Sequence, residues 1–308
     1  MPEIFINLKR FDVSKRFGGL CPIDNPIHWI EGVIEDSVKY GLGSLPDTHI
    51  AYLLPEGLVA SATQKLNSYP DEKTTAIGIG CQGVHWEDVS PGSNFGAFTT
   101  SLPASAAIGL GCSWAIIGHS EERKAKSQII TLFEPSVNQN TSLRAKASQT
   151  INELVNAEVV SALKVGLNVL LCIGETAEER GEGEFSEQQP RIEAVLKSQL
   201  ISNLKDADGF SNQKIVIGYE PLWAIGPGKT PPGKEYISFV SSYIEKIVKE
   251  NFGFKPVVVY GGGLKEENAG MIASIDSIGG GLVALTRFTG EIGFDVVGLK
   301  GIIAKYQE

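Results

Sequence analysis

The sequence predicts an α/β protein with a (β/α)8 barrel, on three observations. Eight short apolar runs recur along the 308 residues, and each is followed by a turn rich in glycine or polar residues. Helix-like segments lie between consecutive runs. The runs are apolar throughout, which is typical of parallel strands buried on both faces. Eight such strands alternating with helices favour a closed barrel, with an open doubly wound sheet as the alternative.

The eight predicted strands are spread over the whole chain. In order they are EIFINL (3–8), HIAYLL (49–54), TAIGIG (75–80), WAIIG (114–118), NVLLCIG (168–174), KIVIGYE (214–220), PVVVYGG (256–262) and GGLVAL (280–285). No tract rich in Pro, Ser and Gly divides the chain, and no internal repeat is visible. We therefore expect a single domain over residues 1–308.

Two connections are long, and both follow the carboxyl end of a predicted strand. Residues 10–31 follow the first strand, and residues 123–150 follow the fourth. Connections of this length are uncommon unless they are functional, and barrel enzymes build their sites on this face. We expect two inserted loops there, with surface decoration as the alternative.

Composition and charge narrow the class of ligand. Hydrophobic residues make up 42% of the chain, and the formal net charge is −9. The sequence pI is about 5.1. Nucleic acid or an anionic membrane would need a basic face, so neither partner is expected. A phosphorylated ligand would have to be held locally, by helix N-termini and a few lysines.

The cysteines and histidines show no metal-binding pattern. Cys21, Cys81, Cys112 and Cys172 are far apart, and three of them lie in apolar runs, which favours buried reduced thiols. The four histidines lie on separate segments without ligand spacing, so we expect no metal and no cofactor. No apolar stretch reaches about 18 residues, and the first residues do not form a signal sequence, so a cytoplasmic protein is expected.

Polar residues at the ends of three predicted strands carry the chemical signal. These are Asn7 and Lys9 after the first strand, His119 and Glu121 after the fourth, and Glu220 at the end of the sixth. Each has an ordinary alternative: a solvated lysine, a hydrogen-bonded core histidine, or a glutamate that merely ends a strand. A cation, a neutral electrophile and a base together suffice to move a proton between carbons beside a carbonyl.

The segment after Glu220 has the composition of a lid. In PLWAIGPGKT (221–230), prolines and bulky residues bracket a small apolar centre. Such a segment can move as a rigid body on two short hinges, bring a backbone N–H to an anion and exclude water. A glycine-rich turn is the alternative.

These motifs resemble those of the triosephosphate isomerase family, whose members are TIM barrels, along nearly the whole chain. The matching pieces are Asn7-x-Lys9, GAFT (96–99), GHSEER (118–123), CIGET (172–176), YEPLWAIGPGKT (219–230) and YGG (260–262). The longest of them is also the most specific. The resemblance implies a sugar-phosphate isomerase that works as a homodimer.

The resemblance also implies a role for each of the polar residues. Glu220 would move a proton between C1 and C2 of the substrate, and neutral His119 would polarise the carbonyl. Lys9 would neutralise the phosphate and the developing enediolate charge. Asn7 would help to hold the oxyanion, and Glu121 would position Lys9. Among glycines, the candidates for substrate binding are Gly226 in the lid, with Gly261 and Gly262 after the seventh strand.

The chain departs from the family pattern where phosphate is usually bound. The family has YGGS after the seventh strand, and Gly263 stands here in place of the serine. The family has a glycine pair after the eighth strand, and Ala284 and Leu285 stand here instead. Losing glycine removes the close backbone approach that lets N–H groups hold a phosphate. Arg287 could replace that contact, with a plain surface arginine as the alternative.

The expected dimer interface is also altered. The family's FTGE tip reads Phe98-Thr99-Thr100-Ser101 here, and its GHSERR reads with Glu122 followed by Arg123. A tip glutamate kept opposite Glu122 would be repelled, so the usual cross-subunit ion pair is lost. We still expect a dimer, with residues 93–100 reaching toward the partner's His119 region.

Three functions remain open at this point. The first is a triose-phosphate isomerase that interconverts dihydroxyacetone phosphate and glyceraldehyde 3-phosphate. The second is the same reaction on a four-carbon ketose phosphate such as erythrulose 1-phosphate, in a side branch of the family that these departures resemble. The third is a barrel that binds a phosphorylated ligand without catalysis, and the complete set of Lys9, His119 and Glu220 argues against it.

Overall fold

The architecture is a closed barrel of eight parallel strands, in a computed structural model that describes residues 1–226, 228–288 and 290–308. The strands are β1 (Glu3–Asn7), β2 (His49–Leu54), β3 (Ile77–Cys81), β4 (Trp114–Ile117), β5 (Asn168–Ile173), β6 (Ile215–Tyr219), β7 (Val257–Tyr260) and β8 (Gly280–Val283). They follow one another in sequence order, and β1 closes the barrel by pairing with β8 as well as β2. The predicted barrel is confirmed, and the open sheet is excluded.

Ten α-helices accompany the strands within the described residues. They are α1 (Pro26–Lys39), α2 (Glu56–Leu66), α3 (Ala104–Gly109), α4 (Ser120–Phe133), α5 (Thr141–Lys164), α6 (Ala177–Arg180), α7 (Phe185–Asn203), α8 (Lys234–Phe252), α9 (Glu266–Ala273) and α10 (Val296–Gln307). Helix α8 shows why they form the outer layer: its buried residues Ile237, Val240, Ile244 and Ile247 recur every three or four positions. That spacing gives the helix one apolar stripe, which packs on the strands.

The strands are apolar throughout because both of their faces are buried. Side chains such as Phe5, Leu53 and Trp114 fill the inside of the barrel, and a larger cluster lies between strands and helices. Phe5 and Trp114 meet edge to face, with ring centroids 4.9 Å apart. Gly80 must lack a side chain, because a Cβ there would lie 2.6 Å from the carbonyl oxygen of Trp114.

The two long connections differ from each other. Residues 10–25 form an irregular segment closed by a bridge between Ser14 and Cys21, and α1 then begins earlier than expected, at Pro26, with Asn25 as its N-cap. The predicted loop at 123–150 is instead mostly helical. Helices α4 and α5 run through it and are joined by the short 3-10 turn Pro135–Gln139. We call α4, this turn and α5 the α4–α5 hairpin.

A helical hairpin forms here because its ends are capped and its residues favour helix. His119 caps the start of α4, and Asn140 caps the start of α5 by accepting hydrogen bonds from two backbone N–H groups. The sequence between is rich in Ala, Lys, Arg, Gln and Leu, which are good helix formers. The length of this connection predicted a loop, but the helix propensity of its residues gives two helices.

The four cysteines are buried and free, as predicted from their apolar surroundings. Among the described residues, no helix is both long enough and apolar enough to cross a membrane.

Candidate active site

The predicted catalytic residues come together at the carboxyl ends of the strands. Asn7 ends β1, Lys9 follows it, His119 lies between β4 and α4, and Glu220 directly follows β6. Nε2 of His119 lies 3.2 Å from Oε1 of Glu220 and 3.5 Å from Nδ2 of Asn7. Residues separated by more than a hundred positions in the sequence thus form one cluster.

The position of His119 at the start of α4 orients its ring. Its Nδ1 accepts a hydrogen bond from the backbone N–H of Glu121 at 3.3 Å. In the neutral form of the ring, this bond places the single proton on Nε2, which faces the cluster. A ring in this orientation can donate a hydrogen bond from Nε2 to a substrate oxygen.

Glu220 is a buried carboxylate held by Ser120. Only 3% of Glu220 is exposed. Its Oε2 accepts from the backbone N–H of Ser120 at 3.0 Å, and its Oε1 accepts from the Ser120 hydroxyl at 3.0 Å. Ser120 is the first residue of α4, so the carboxylate lies at the positive end of a helix. Ser120 lies inside the GHSEER motif, but a serine at the start of a helix carries no sequence signal for this contact.

Two glycines allow neighbouring strands to approach Glu220 closely. A Cβ on Gly174 would lie 1.8 Å from the carbonyl oxygen of Glu220, and one on Gly261 would lie 2.9 Å from its Cγ. Gly261 therefore packs against the side chain of Glu220. A Cβ on Gly262 would collide with the ring of Tyr260, at 2.2 Å from its hydroxyl. This close packing is a structural reason for glycine at both predicted substrate-binding positions.

Lys9 is held in an unusual backbone conformation. Its φ is +31°, in the left-handed region that lysine rarely adopts. Its backbone N–H donates to Oδ1 of Asn7 at 3.1 Å, and its ammonium donates to Glu121 at 2.5 Å. Partial burial favours a raised pKa for Glu121, but the hydrogen bond and charge of Lys9 outweigh it and lower that pKa. Glu121 stays ionised and positions Lys9.

Gln82 ties these residues together and was missed from the sequence. Its side-chain amide lies within hydrogen-bonding distance of Oδ1 of Asn7 at 3.0 Å, the carbonyl of Lys9 at 2.9 Å and the carbonyl of Leu53 at 3.3 Å. Gln82 directly follows β3, so a polar residue at a strand end was the available signal.

The start of the lid is anchored by a buried carboxylate. Oε1 of Glu175 accepts from the indole N–H of Trp223 at 2.8 Å, from Tyr219 at 2.9 Å and from Tyr236 at 2.8 Å. The guanidinium of Arg180 lies 3.9 Å from the centre of the Trp223 ring. Burial raises the pKa of Glu175 despite these donors. Any movement of Trp223 would break these contacts and would therefore cost free energy.

The tip of the lid is described only in part. Gly226 has a φ of +121°, which suits glycine, and a Cβ there would meet no other atom. Pro227 lies outside the described residues. The backbone N–H of Gly226 therefore remains a predicted phosphate contact.

The segment after β8, where the family has its glycine pair, is held by its own hydrogen bonds. β8 ends at Val283, and the backbone N–H groups of Thr286 and Arg287 both donate to the carbonyl of Gly293 at 3.0 Å. Nε of Arg287 lies 3.5 Å from a carboxylate oxygen of Asp295. Asp295 also caps α10 by accepting from Gly298 N–H. The helix N-terminus is thus already occupied by a carboxylate, whereas the Arg287 side chain is 45% exposed.

Glu122 and Arg123 both turn inward and hold the residue before His119. Glu122 accepts from the backbone N–H of Gly118 at 2.7 Å, and Nε of Arg123 donates to the carbonyl of Gly118 at 2.7 Å. Arg123 also donates to Asn152 at 2.8 Å. Glu122 stands in place of the first arginine of the family's pair and Arg123 keeps the second, and together they fix the backbone that presents His119.

Behind Glu122 lies a buried group of two carboxylates and one ammonium. Lys126 donates to Glu122 and to both oxygens of Glu158, the latter at 2.7 Å. Burial, followed by the neighbouring Glu122, raises the pKa of Glu158 to about 9. The pKa of Glu122 is lowered: burial opposes ionisation, but hydrogen bonds from Glu158 and Lys126 and the charge of Lys126 outweigh it. The arrangement thus favours the protonated form of Glu158 and the ionised form of Glu122. Among the described residues, no group of three or more His, Cys, Asp or Glu is arranged to hold a metal ion.

Comparison with known proteins places this geometry in a family context. A family model described as Triosephosphate isomerase matches residues 48–291. The triosephosphate isomerase of Lawsonia intracellularis is 32% identical over 254 residues, which cover 82% of this chain and 84% of that protein. The triosephosphate isomerase of Chloroherpeton thalassium is 32% identical over 213 residues, covering 68% of this chain and 70% of that protein.

A solved structure shares the fold over its full length. The crystal structure of triosephosphate isomerase from Bartonella henselae superposes with a TM-score of 0.67 and covers 100% of this chain and 99% of that one. Sequence identity to it is 22%, so this likeness supports the barrel and its connectivity.

Proposed function

The chain belongs to the triosephosphate isomerase family, and on that premise we propose that it interconverts dihydroxyacetone phosphate and glyceraldehyde 3-phosphate. It is an aldose–ketose isomerase, and the family places its reaction in glycolysis. The observation that carries the proposal is the 3.2 Å contact between the imidazole of His119 and the carboxylate of Glu220, beside Lys9 and Asn7.

Glu220 is the proposed base. Both of its carboxylate oxygens accept hydrogen bonds from Ser120, which hold the group in place before substrate binds. In the reaction it leaves Ser120, takes a proton from the carbon beside the carbonyl and returns it to the neighbouring carbon. Lid closure excludes water, so the proton is not lost to solvent.

His119, Lys9 and Asn7 are proposed to manage the charge that develops on the two substrate oxygens. The Nε2–H of His119 donates to these oxygens and relays a proton between them. The ammonium of Lys9 balances the negative charge of the enediolate and of the phosphate. Asn7 offers its amide N–H to the oxyanion, and its own oxygen is held in place by Gln82.

The phosphate contact is proposed to come from the lid and from the loop after β8. Gly226 would supply a backbone N–H, and Arg287 would supply a guanidinium in place of the missing glycine pair. The support for Arg287 is that its loop lies at the carboxyl end of β8 and that its side chain is half exposed, with one carboxylate of its own loop at 3.5 Å.

A four-carbon ketose phosphate is a second candidate substrate, and the altered phosphate end of the site favours it. A Cβ on Gly263 would meet nothing within 4 Å, so the position usually filled by serine leaves open space. Assays with dihydroxyacetone phosphate and erythrulose 1-phosphate on the same preparation distinguish the two substrates. If neither substrate is turned over, the remaining candidate is a barrel that binds a phosphorylated ligand without catalysis.

We also propose that the chain forms a homodimer in the cytoplasm. The segment 93–100 carries Phe95, which is 94% exposed, as an apolar residue at an expected interface would be in a single chain. Four buried free thiols suit a reducing compartment. Sedimentation at micromolar concentration tests the dimer, and a monomer alone would contradict it.

A further inference from the structure

A large cavity lies next to the catalytic cluster. Its volume is about 1030 Å³, and its walls come from the α4–α5 hairpin, the turn after β5, helix α7 and the start of the lid. Cavities that bind small molecules commonly measure about 300–1,000 Å³. Much of the wall comes from residues 124–148, in the segment that the sequence indicates as inserted.

Two cations and one carboxylate line the cavity. Arg123 and Lys124 both line the cavity. Within the described ranges, neither has a carboxylate within 4.0 Å, and Arg123 gives its hydrogen bonds to two carbonyls and one amide oxygen. Glu179 also lines the wall, but one of its oxygens already accepts from the N–H of Thr176. In a chain of net charge −9, two adjacent cations without an ion pair favour an anionic ligand.

Asn152 provides a second, independent sign of a ligand. The residue is 5% exposed and lines the cavity. Its oxygen accepts from Arg123, while its Nδ2 has no hydrogen-bond acceptor in the part of the chain that the structure describes. This amide group can therefore donate to a ligand in the cavity.

The rest of the wall offers a ligand both hydroxyl side chains and apolar surface. Hydroxyl side chains of Ser127, Thr131 and Ser198 line it, and Ile151 and Val195 supply apolar surface. An isolated phosphate ion would fill little of this volume. We propose that the cavity binds a phosphorylated polyhydroxy metabolite, with the phosphate at Arg123, Lys124 and Asn152 and the hydroxyls along the hairpin.

The site is placed to influence catalysis. Ser120 lines the cavity and holds Glu220 through two hydrogen bonds, and Leu222 lines it two residues after Glu220. Arg123 also holds the carbonyl of Gly118, beside His119. A bound phosphate would draw on Arg123 and so alter the position of His119. This coupling rests on the proposed function, whereas the binding itself does not.

Calorimetric titration with ribose 5-phosphate tests the binding. We expect wild type to bind it, Lys124→Glu to weaken binding about tenfold or more, and Ala194→Trp to block the cavity with similar loss. Lys197→Glu is the matched control, because it makes the same charge change on an exposed part of α7 outside the cavity wall, and binding should be unchanged. Inorganic phosphate and ribose should each bind more weakly than ribose 5-phosphate.

The variant Lys9→Ala distinguishes binding at the catalytic site from binding in this cavity. Ribose 5-phosphate binding that survives Lys9→Ala and is lost in Lys124→Glu supports the proposal. Binding that is lost in Lys9→Ala and unaffected by Lys124→Glu belongs to the catalytic site and overturns it. The absence of binding to wild type, or equal binding of ribose and ribose 5-phosphate, would also overturn it. Each outcome holds whether or not the enzyme isomerises a triose phosphate.

Discussion

Nε2 of His119 lies 3.2 Å from Oε1 of Glu220, and Nδ1 of the same ring accepts a hydrogen bond from the backbone N–H of Glu121. The proposed proton donor for substrate oxygen and the proposed base for substrate carbon are thus adjacent before any substrate is bound. Because each is also held by a residue at the start of α4, the helix sets both groups at once.

Replacing Lys9 with alanine should abolish most activity through loss of phosphate attraction. The net charge is −9, so one positioned ammonium dominates the local field at the site. We expect the inhibition constant of a phosphate-containing substrate analogue to rise about tenfold or more. Lys15→Ala, in the same connection, is the control and should bind as wild type does. Unchanged binding to Lys9→Ala would rule out this role.

Replacing Arg287 with alanine should weaken substrate binding without unfolding the protein. A charge-assisted hydrogen bond to phosphate contributes roughly 1.5–3 kcal/mol, so KM should rise about tenfold or more. The melting temperature should stay nearly constant, because the side chain is 45% exposed and its contact with Asp295 is long at 3.5 Å. Lys255→Ala is a control for loss of an exposed cation. A KM equal to that of wild type would show that phosphate is bound elsewhere.

Replacing Glu158 with glutamine should flatten the dependence of stability on pH. The folded chain keeps the Glu158 proton up to a pKa of about 9, whereas the unfolded chain loses it near the ordinary value of 4.5. Folded wild type therefore loses stability as pH rises through this window, and glutamine, which does not titrate, avoids the loss. The pKa of Glu122 is lowered, so its contribution to stability is fully present above its ordinary pKa. That contribution therefore does not change with pH in this window.

Thermal melts from pH 5 to pH 9 measure this difference. Glu158→Gln should equal wild type near pH 5 and exceed its melting temperature by about 3 °C or more at pH 8. Glu153→Gln, an exposed carboxylate on the same helix, should follow wild type throughout. Parallel curves for Glu158→Gln and wild type would show that Glu158 is ionised in the folded state.

Sequence patterns predicted the barrel because parallel strands buried on both faces leave a strong apolar signal. The runs at 49–54 and 168–174 match β2 and β5 almost residue for residue. The segment 123–150 differs from the predicted loop. Its length predicted a loop, whereas its residues favour helix. Local capping by Asn140 then decided the structure.

The clustering of the candidate catalytic residues could be predicted because each lies at or just after the end of a strand, and strand ends meet on one face. Their supporting contacts could not. Ser120 under Glu220, Gln82 under Asn7 and the three donors around Glu175 join different strands. Such contacts depend on barrel closure, which no local pattern encodes.

The central claim is that Glu220 is the base of a triose-phosphate isomerase, and a coupled assay with dihydroxyacetone phosphate on wild type and Glu220→Gln tests it most directly. Loss of a general base reduces rates by about 10²–10⁴, so kcat should fall about a thousandfold while KM changes little. Glu235→Gln, an exposed carboxylate at the start of α8, should retain full activity. Wild type that does not convert dihydroxyacetone phosphate, or a variant whose kcat lies within tenfold of wild type, would contradict the account.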